Sequence, residues 1–312
     1  ITGRKKLLVF NGCYHGTIDD VFVDLDANNP EAPPTMRASL LGQVYDLTQF
    51  TDVVEFNDIE AVKAKLASGE FACVLTEPAL TNCGMVLPQP DFLRELRQAC
   101  NDTDTLLIFD ETHTISAGYA GYTGICREQD GFLPDMIIAG KAIAGGIPCA
   151  VYGMSAKIAQ RARAAKEAAP AGHSGIGTTL SGNMLTMALL AANLTEVATP
   201  AAFDTMIARQ TQLATGMQSL IAQYRLPWSV TQLGARSEFQ FCAHSPKNGS
   251  EAERAIDDEL ERAVHLYLLN RGIMITPFHN MTLVCPATTE AQIERYLDVF
   301  EACLAECTAA HK

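Results

Sequence analysis

The chain alternates short apolar runs with longer mixed segments. LLVF (7–10), FACVLT (71–76), LLIF (106–109), DMIIAG (135–140) and CAVYG (149–153) are each too short for an ordinary helix and are bounded by turn residues. Continuous apolar runs of this kind read as strands covered on both faces, as in a parallel sheet. Between them, DIEAVKAKLASG reads as a helix opened by Asp58 and stopped at Gly69. PDFLRELRQACND reads as a second helix with Phe92, Leu93 and Leu96 on one face. Repeated strand, helix, strand units predict an α/β fold with a doubly wound, mostly parallel sheet. Residues 21–50, which include NNPEAPP, show no clear period and are expected to be irregular, with a short strand at 53–55.

After residue 150 the pattern changes. An Ala-rich helix is expected over 156–169, a loop of small residues over 172–177, and helices over 182–198 and 200–224. Strands at WSVTQLG and SEFQFCA follow, then a helix over 251–271, a strand at GIMIT (272–276) and a last helix from 289. This places a boundary near residue 200, between a large domain (1–200) and a smaller α+β domain (201–312).

Composition narrows the class. The chain has 312 residues, 48% hydrophobic and 19% charged, enough for a sizeable core. A net charge of −13 argues against nucleic acid or an anionic membrane as the main partner. No apolar run approaches the roughly 18 residues of a spanning helix. The ten cysteines are scattered without a C-x-x-C pair, so no metal site is expected. Cys303 and Cys307, four apart on a helix, read as free thiols, and the whole as a reducing-compartment, cytoplasmic protein. ITGRKK lacks a signal-peptide pattern and reads as a turn into a strand, so the sequence is expected to start inside a domain.

Candidate chemistry sits at strand ends, where open parallel sheets bind ligands. Asp110 closes the run LLIF, and Lys141 follows DMIIAG among small residues that leave room for a flat, bulky group. Taken singly, Asp110 is a turn former or cap and Lys141 a solvated turn lysine. Taken together on adjacent strands, they suit an acid paired with a protonated ring nitrogen and an amine of lowered pKa that bonds a carbonyl.

The ordered segments TGRKKLLVFNGCYHG, LTEP, NCGMVLP, LLIFDE, GKAIAGGIP and TTLSGN resemble the class III aminotransferases of pyridoxal-phosphate fold type I, in the branch containing glutamate-1-semialdehyde aminomutase. The resemblance covers positions 1 to about 190. It implies pyridoxal 5'-phosphate as cofactor, Lys141 as Schiff-base lysine, Asp110 at the pyridine nitrogen and Tyr14 stacked on the ring, with His15 and Gly16 in the same loop. Glu77 would act through a network near the phenolic oxygen; as a bare residue it reads equally as a strand-end cap. Thr112 stands where the family has a valine on the other ring face, and His113 beside it would contact cofactor or substrate, or else serve only as a hydrogen-bonded loop residue. Thr178 and Thr179 match the segment that reaches the phosphate of the opposite subunit, which implies a homodimer. Read without the resemblance, they open a helix whose first turn Thr179 or Ser181 caps.

The pattern also departs from the family. The family's N-terminal portion ahead of position 1 is absent, so the sequence is expected to be part of a longer protein. The gating glutamate of the aminomutases has no counterpart in Pro277, Phe278, His279 or Asn280. No arginine lies in 272–294, so Arg236 becomes the basic candidate for a substrate carboxylate, against the reading of an exposed strand-edge arginine. The expected activity is amino transfer between a small-molecule donor and a keto or aldehyde acceptor. Intramolecular aminomutase chemistry, and a catalytically reduced binding protein, are the alternatives.

Overall fold

The five apolar runs all become strands of one six-stranded sheet. The computed structural model describes residues 1–29, 32–172, 177–276 and 279–309. In chain order the strands of its first part are β1 (Lys6–Phe10), β2 (Val23–Asp24), β3 (Thr35–Met36), β4 (Thr51–Val54), β5 (Phe71–Thr76), β6 (Leu106–Asp110), β7 (Met136–Gly140) and β8 (Ala150–Met154). The main sheet runs β4-β1-β5-β6-β7-β8. All neighbours are parallel except the edge pair β7 and β8. A fold of the α/β class with a mostly parallel sheet is thus borne out. The stretch expected to be irregular holds a small antiparallel ribbon, β2 with β3.

Helices α1 (Ile59–Leu66) and α2 (Phe92–Asp102) cover one face of the sheet. Asp58 caps α1 by accepting from Ala61 N at 3.0 Å, as its position predicts. Alternation along β1 sends Leu8 and Phe10 into the core beneath these helices and Val9 into the opposite one. Phe10, Phe56 and Phe92 meet edge-to-face at 5.2, 5.8 and 4.8 Å between centroids. Each such pair contributes about 0.5–1.5 kcal/mol beyond its burial.

The later helices are α3 (Gly121–Ile125), α4 (Ala156–Ala168), α5 (Met184–Ala192), α6 (Pro200–Gln223), α7 (Gly249–Arg254), α8 (Asp258–Leu269) and α9 (Glu290–Ala309). With β9 (Ser229–Leu233), β10 (Arg236–Gln240) and β11 (Met281–Leu283), α6 and α9 enclose a second core in which Trp228 stacks on Phe239. The order β11-β10-β9 makes β10 the central strand of this antiparallel sheet. Two expectations need correction. GIMIT forms no strand; its place beside β10 is taken by β11, a few residues later, where Met281 and Thr282 are buried. The single helix expected over 251–271 is two, separated at Asp257, whose carboxylate caps α8. The expected small-residue loop over 172–177 lies, at 173–176, outside the described residues.

Close contacts lock the second part against the first. Gly249, opening α7, sits so near β1 that an added Cβ would lie 2.1 Å from the Asn11 carbonyl oxygen. Asn11 Nδ2 donates to Ser250 Oγ at 3.0 Å and to Glu55 at 3.2 Å. Gly234, in the β9–β10 turn at φ +55°, would place a Cβ 2.4 Å from the Ser116 and Ala117 carbonyl oxygens. That approach presses the start of β10 against the loop after β6, where the candidate chemistry lies.

Candidate active site

The carboxyl ends of β5, β6 and β7 carry Glu77, Asp110 and Lys141 in that order across the sheet. The register sets Asp110 beside Ile138, and Lys141 follows β7 in a helical turn, Lys141–Ala144. Asn193, just after α5, holds that turn by donating to the Ala142 and Ile143 carbonyls at 3.0 and 2.9 Å. Lys141 itself has φ +56°, a left-handed backbone that a side chain disfavours.

Asp110 is buried and held from two sides. His15 Nδ1 bonds Oδ2 at 2.8 Å, and the Thr112 N–H donates to Oδ1 at 3.0 Å. Burial opposes its charge, but the His15 and Thr112 hydrogen bonds hold the carboxyl below its ordinary value. Burial likewise opposes charge on His15, yet the Cys13 sulfur, the Asp110 bond and the Glu77 charge push the imidazole up to about 10. Tyr14 is half exposed, with its ring tilted 6.1 Å from that of Phe22, and Gly16 turns the chain at φ +86°.

Lys141 is open to solvent, and its Nζ lies 2.5 Å from His113 Nε2. Partial burial lowers the amine's pKa and the Arg236 charge adds to this, against Asp110 and Glu77. His113 is pushed down to about 3 by burial and by the Arg236 and Lys141 charges, so its ring is neutral at ordinary pH. On its other side His113 Nδ1 meets Thr81 Oγ1 at 2.6 Å. Thr81 donates in turn to Glu77 Oε2, and Asn82 Nδ2 donates to Oε1 at 3.0 Å. Glu77 is therefore no backbone cap: it is a buried carboxylate with side-chain donors on both oxygens, although burial raises its pKa.

Arg236 is neither exposed nor at an edge. It is buried on β10, donates from Nε to Ser116 Oγ at 2.8 Å, and senses Glu77 and Glu238. Thr178 and Thr179 lie apart from these residues on an exposed turn, where the Thr178 N–H donates to Ser181 Oγ at 2.8 Å. They do not open a helix: α5 starts only at Met184, and Asn183, not Thr179 or Ser181, caps it by accepting from Thr186 N. Of the four residues searched for a gating carboxylate, Pro277 and Phe278 lie outside the described residues, and His279 faces Arg236 and Lys141.

Three contributors escaped the sequence reading. Thr81 and Asn82 were visible only as part of a loop motif; their spacing four and five residues after Glu77, around Pro78, was the signal. Glu111 is fully buried and ties the following loop together, accepting from Thr114 Oγ1 at 2.6 Å and from the Tyr122 and Thr123 N–H groups. Among the described residues no group of three or more His, Cys, Asp or Glu is placed to hold a metal ion, and no helix is long and apolar enough to cross a membrane.

The chain as a whole has counterparts among known proteins. The family model for class III aminotransferases matches residues 1–304. The chain belongs to the class III aminotransferases. A glutamate-1-semialdehyde 2,1-aminomutase 2 from Brevibacillus brevis is 33% identical over 306 residues, covering 95% of this chain and 67% of that protein. A glutamate-1-semialdehyde-aminomutase from Pseudomonas aeruginosa PAO1, solved in complex with PMP, superposes with a TM-score of 0.92 at 43% identity, over 98% of this chain and 67% of that one. An omega-transaminase from Sphaerobacter thermophilus gives 0.85 at 26% identity, over 97% and 69%. The chain thus spans about two thirds of the length of these relatives. As a class III aminotransferase it is an enzyme of pyridoxal-phosphate-dependent amino transfer.

The residues present fit that cofactor. A pyridine nitrogen is matched by the buried, ionised Asp110, and an aldehyde by the amine of Lys141, whose pKa is lowered. His15 Nε2 is a buried polar atom with no partner among the described residues, left at the same strand ends.

Proposed function

We propose that this aminotransferase moves an amino group between a small amine or amino acid and a keto or aldehyde acceptor, with Lys141 as the group that binds the cofactor and transfers the proton. One observation carries the reading: a lysine amine and an ionised carboxylate stand at the ends of adjacent parallel strands, with a neutral imidazole bonded to the amine. Pyridoxal phosphate, when bound, supplies the carbonyl that takes the amino group and a ring that withdraws electrons. Asp110, kept ionised by His15 and Thr112, would hold the ring nitrogen in its protonated form. Tyr14 and Thr112 would bracket the ring, with His15 and Gly16 shaping the loop beneath Tyr14. Lys141 Nζ would give and take the proton at the reacting carbon, with His113 bonded to the amine and Glu77 behind it through Thr81.

The test is a half-reaction. Incubated with an amino donor alone, the full-length enzyme is expected to release one keto product per active site and stop until a keto or aldehyde acceptor is added. Sustained turnover of an amino-aldehyde without acceptor would instead make it an intramolecular mutase, the reading favoured by its likeness to the aminomutase from Pseudomonas aeruginosa.

Arg236 is the proposed contact for a substrate carboxylate, because its planar fork is buried on a central strand facing His113 and Lys141. Arg236→Gln is expected to raise KM for carboxylate-bearing substrates by roughly 10- to 100-fold, the loss of a charge-assisted hydrogen bond of about 1.5–3 kcal/mol, and to leave neutral amines nearly unaffected. Equal losses on both substrate types would remove this role.

The active unit is proposed to be a cytoplasmic homodimer of two-domain subunits. Leu180, Met184 and Leu185 are among the most exposed apolar side chains and flank Thr178 and Thr179, which supports a packed face there that brings both threonines to the partner's phosphate. Ten free cysteines support a reducing compartment. The two main cores, one drawn from residues before the start of α6 apart from Ala252 and the other from residues after it, support domains at 1–200 and 201–312.

A further inference from the structure

The hydrogen-bond chain behind Lys141 has a direction that follows from counting protons. Both oxygens of Glu77 accept, one from Asn82 Nδ2 and the other from the Thr81 hydroxyl. A hydroxyl has one proton, so at His113 Nδ1 Thr81 can only accept, and Nδ1 carries the imidazole proton. Nε2 is then bare and takes the hydrogen bond from Lys141 Nζ at 2.5 Å. Every link from the exposed amine to the buried carboxylate is a donor facing an acceptor.

We propose that His113, Thr81 and Glu77 form a proton path that draws the proton from Lys141 and stores it on Glu77. The step balances by three proton transfers. Lys141 Nζ gives a proton to His113 Nε2; His113 Nδ1 gives its own to Thr81 Oγ1; Thr81 passes its hydroxyl proton to Glu77 Oε2; Lys141 is left as a neutral amine. Every hydrogen bond survives with its direction reversed, and a separated ammonium and carboxylate become two neutral groups. Charge separation costs most where water is scarce, so burial of Glu77 favours the transferred state. The raised pKa of the Glu77 carboxyl agrees with that role. The other charged or titratable groups facing His113 and Lys141 are Asp110 from β6, Arg236 from β10 and His279 ahead of β11. None of them interrupts the path. His113 touches the reacting amine; Thr81 and Glu77 act through it as positioning residues.

This deepens the reading of Lys141 as the reactive amine and rests on it, but its test needs no bound cofactor. In the cofactor-free full-length protein, labelling of Lys141 by an acylating reagent, followed across pH by peptide mass, reports how much of the amine is unprotonated. Glu77→Gln removes the charge that favours the ammonium, so it is expected to label at least as strongly as wild type at pH 7. The stored proton is read by infrared difference spectroscopy between wild type and Glu77→Gln. We expect the wild type to show a carboxylic-acid carbonyl band, absent from Glu77→Gln, at a pH at which Lys141 labels as the free amine. Thr81→Val, which removes the group the protonated carboxyl would donate to, is expected to shift that band, and Thr81→Ser, which keeps the hydroxyl, to return it. A Glu77 seen only as carboxylate while Lys141 labels as free amine, or a band unmoved in Thr81→Val, overturns the path. If borohydride reduction attaches no cofactor to Lys141, the enzymatic reading falls separately, and the infrared result still decides the path.

Discussion

Replacing Lys141 with alanine is expected to lower amino transfer by about 10⁴-fold or more. The variant loses the proton-transferring group, a contribution on the order of 10²- to 10⁴-fold in rate, and also the amine that would hold the cofactor covalently. Lys141→Arg should not rescue it, since a guanidinium stays charged at any working pH and cannot act as the free amine. Two measurements check this: steady-state rates with saturating cofactor, and borohydride reduction followed by peptide mapping, which should place the cofactor on the Lys141 peptide of wild type only. Rates in Lys141→Ala within tenfold of wild type would assign the chemistry to another group. Asn193 still holds the Lys141–Ala144 turn in these variants, so folding should be little affected.

Asp110→Ala has the other large effect, and it reaches stability as well as rate. Asp110 and His15 are a buried pair at 2.8 Å, with side chains 7% and 1% exposed. Removing one member of a buried pair leaves the other uncompensated, a loss of about 3–5 kcal/mol. The pH dependence follows from both shifts. The imidazole is raised in the folded protein, so its contribution is complete below its unfolded value near 6.5 and is lost as pH rises towards about 10. The carboxyl is lowered, so its contribution is present above its unfolded value near 3.8 and is lost as pH falls below it. The stability gap between wild type and Asp110→Ala, from denaturant melts, should therefore be widest between about pH 4 and 6.5 and shrink on either side. A gap that instead widens from pH 7 to 10 would show that His15 does not carry the charge. Activity should fall with it, because the neighbouring acid, Glu111, is committed to Thr114, Tyr122 and Thr123 of the following loop.

Much of this architecture was legible before any coordinates. The sheet was readable because strands buried on both faces need unbroken apolar runs, and in an open parallel sheet the residues after such runs converge on one edge. Asp110 and Lys141 stand out in this way as candidates, whereas Glu77, which as a bare residue reads equally as a cap, enters through the resemblance to the family. Other features depend on partners far away in sequence. GIMIT has the composition of a strand, but its Ile275 is buried in the core of α6 and α9, and β10 pairs with the Met281–Leu283 segment that follows, where Met281 packs on Ala79, Met85 and Ala117 and Thr282 takes a hydrogen bond from Gln210. Arg236 read as a possible edge residue because nothing local reveals that β10 is flanked on both sides, or that the tight approach of Gly234 seats it against Ser116. Thr81 carries no strong signal at all. A threonine in a loop gains its meaning only when Glu77 and His113 close on it from two different strand ends.

The backbone at Lys141 sets the two demands on the protein against each other. At φ +56° a residue with a Cβ costs roughly 1–2 kcal/mol that glycine would not. Improvement of the fold alone would thus drift toward glycine at position 141 and silence the molecule while making it sturdier. A library of variants sorted only by resistance to heat or protease would be expected to lose lysine at this site, and a consensus built on such survivors would erase the amine to which the proposed catalysis is assigned.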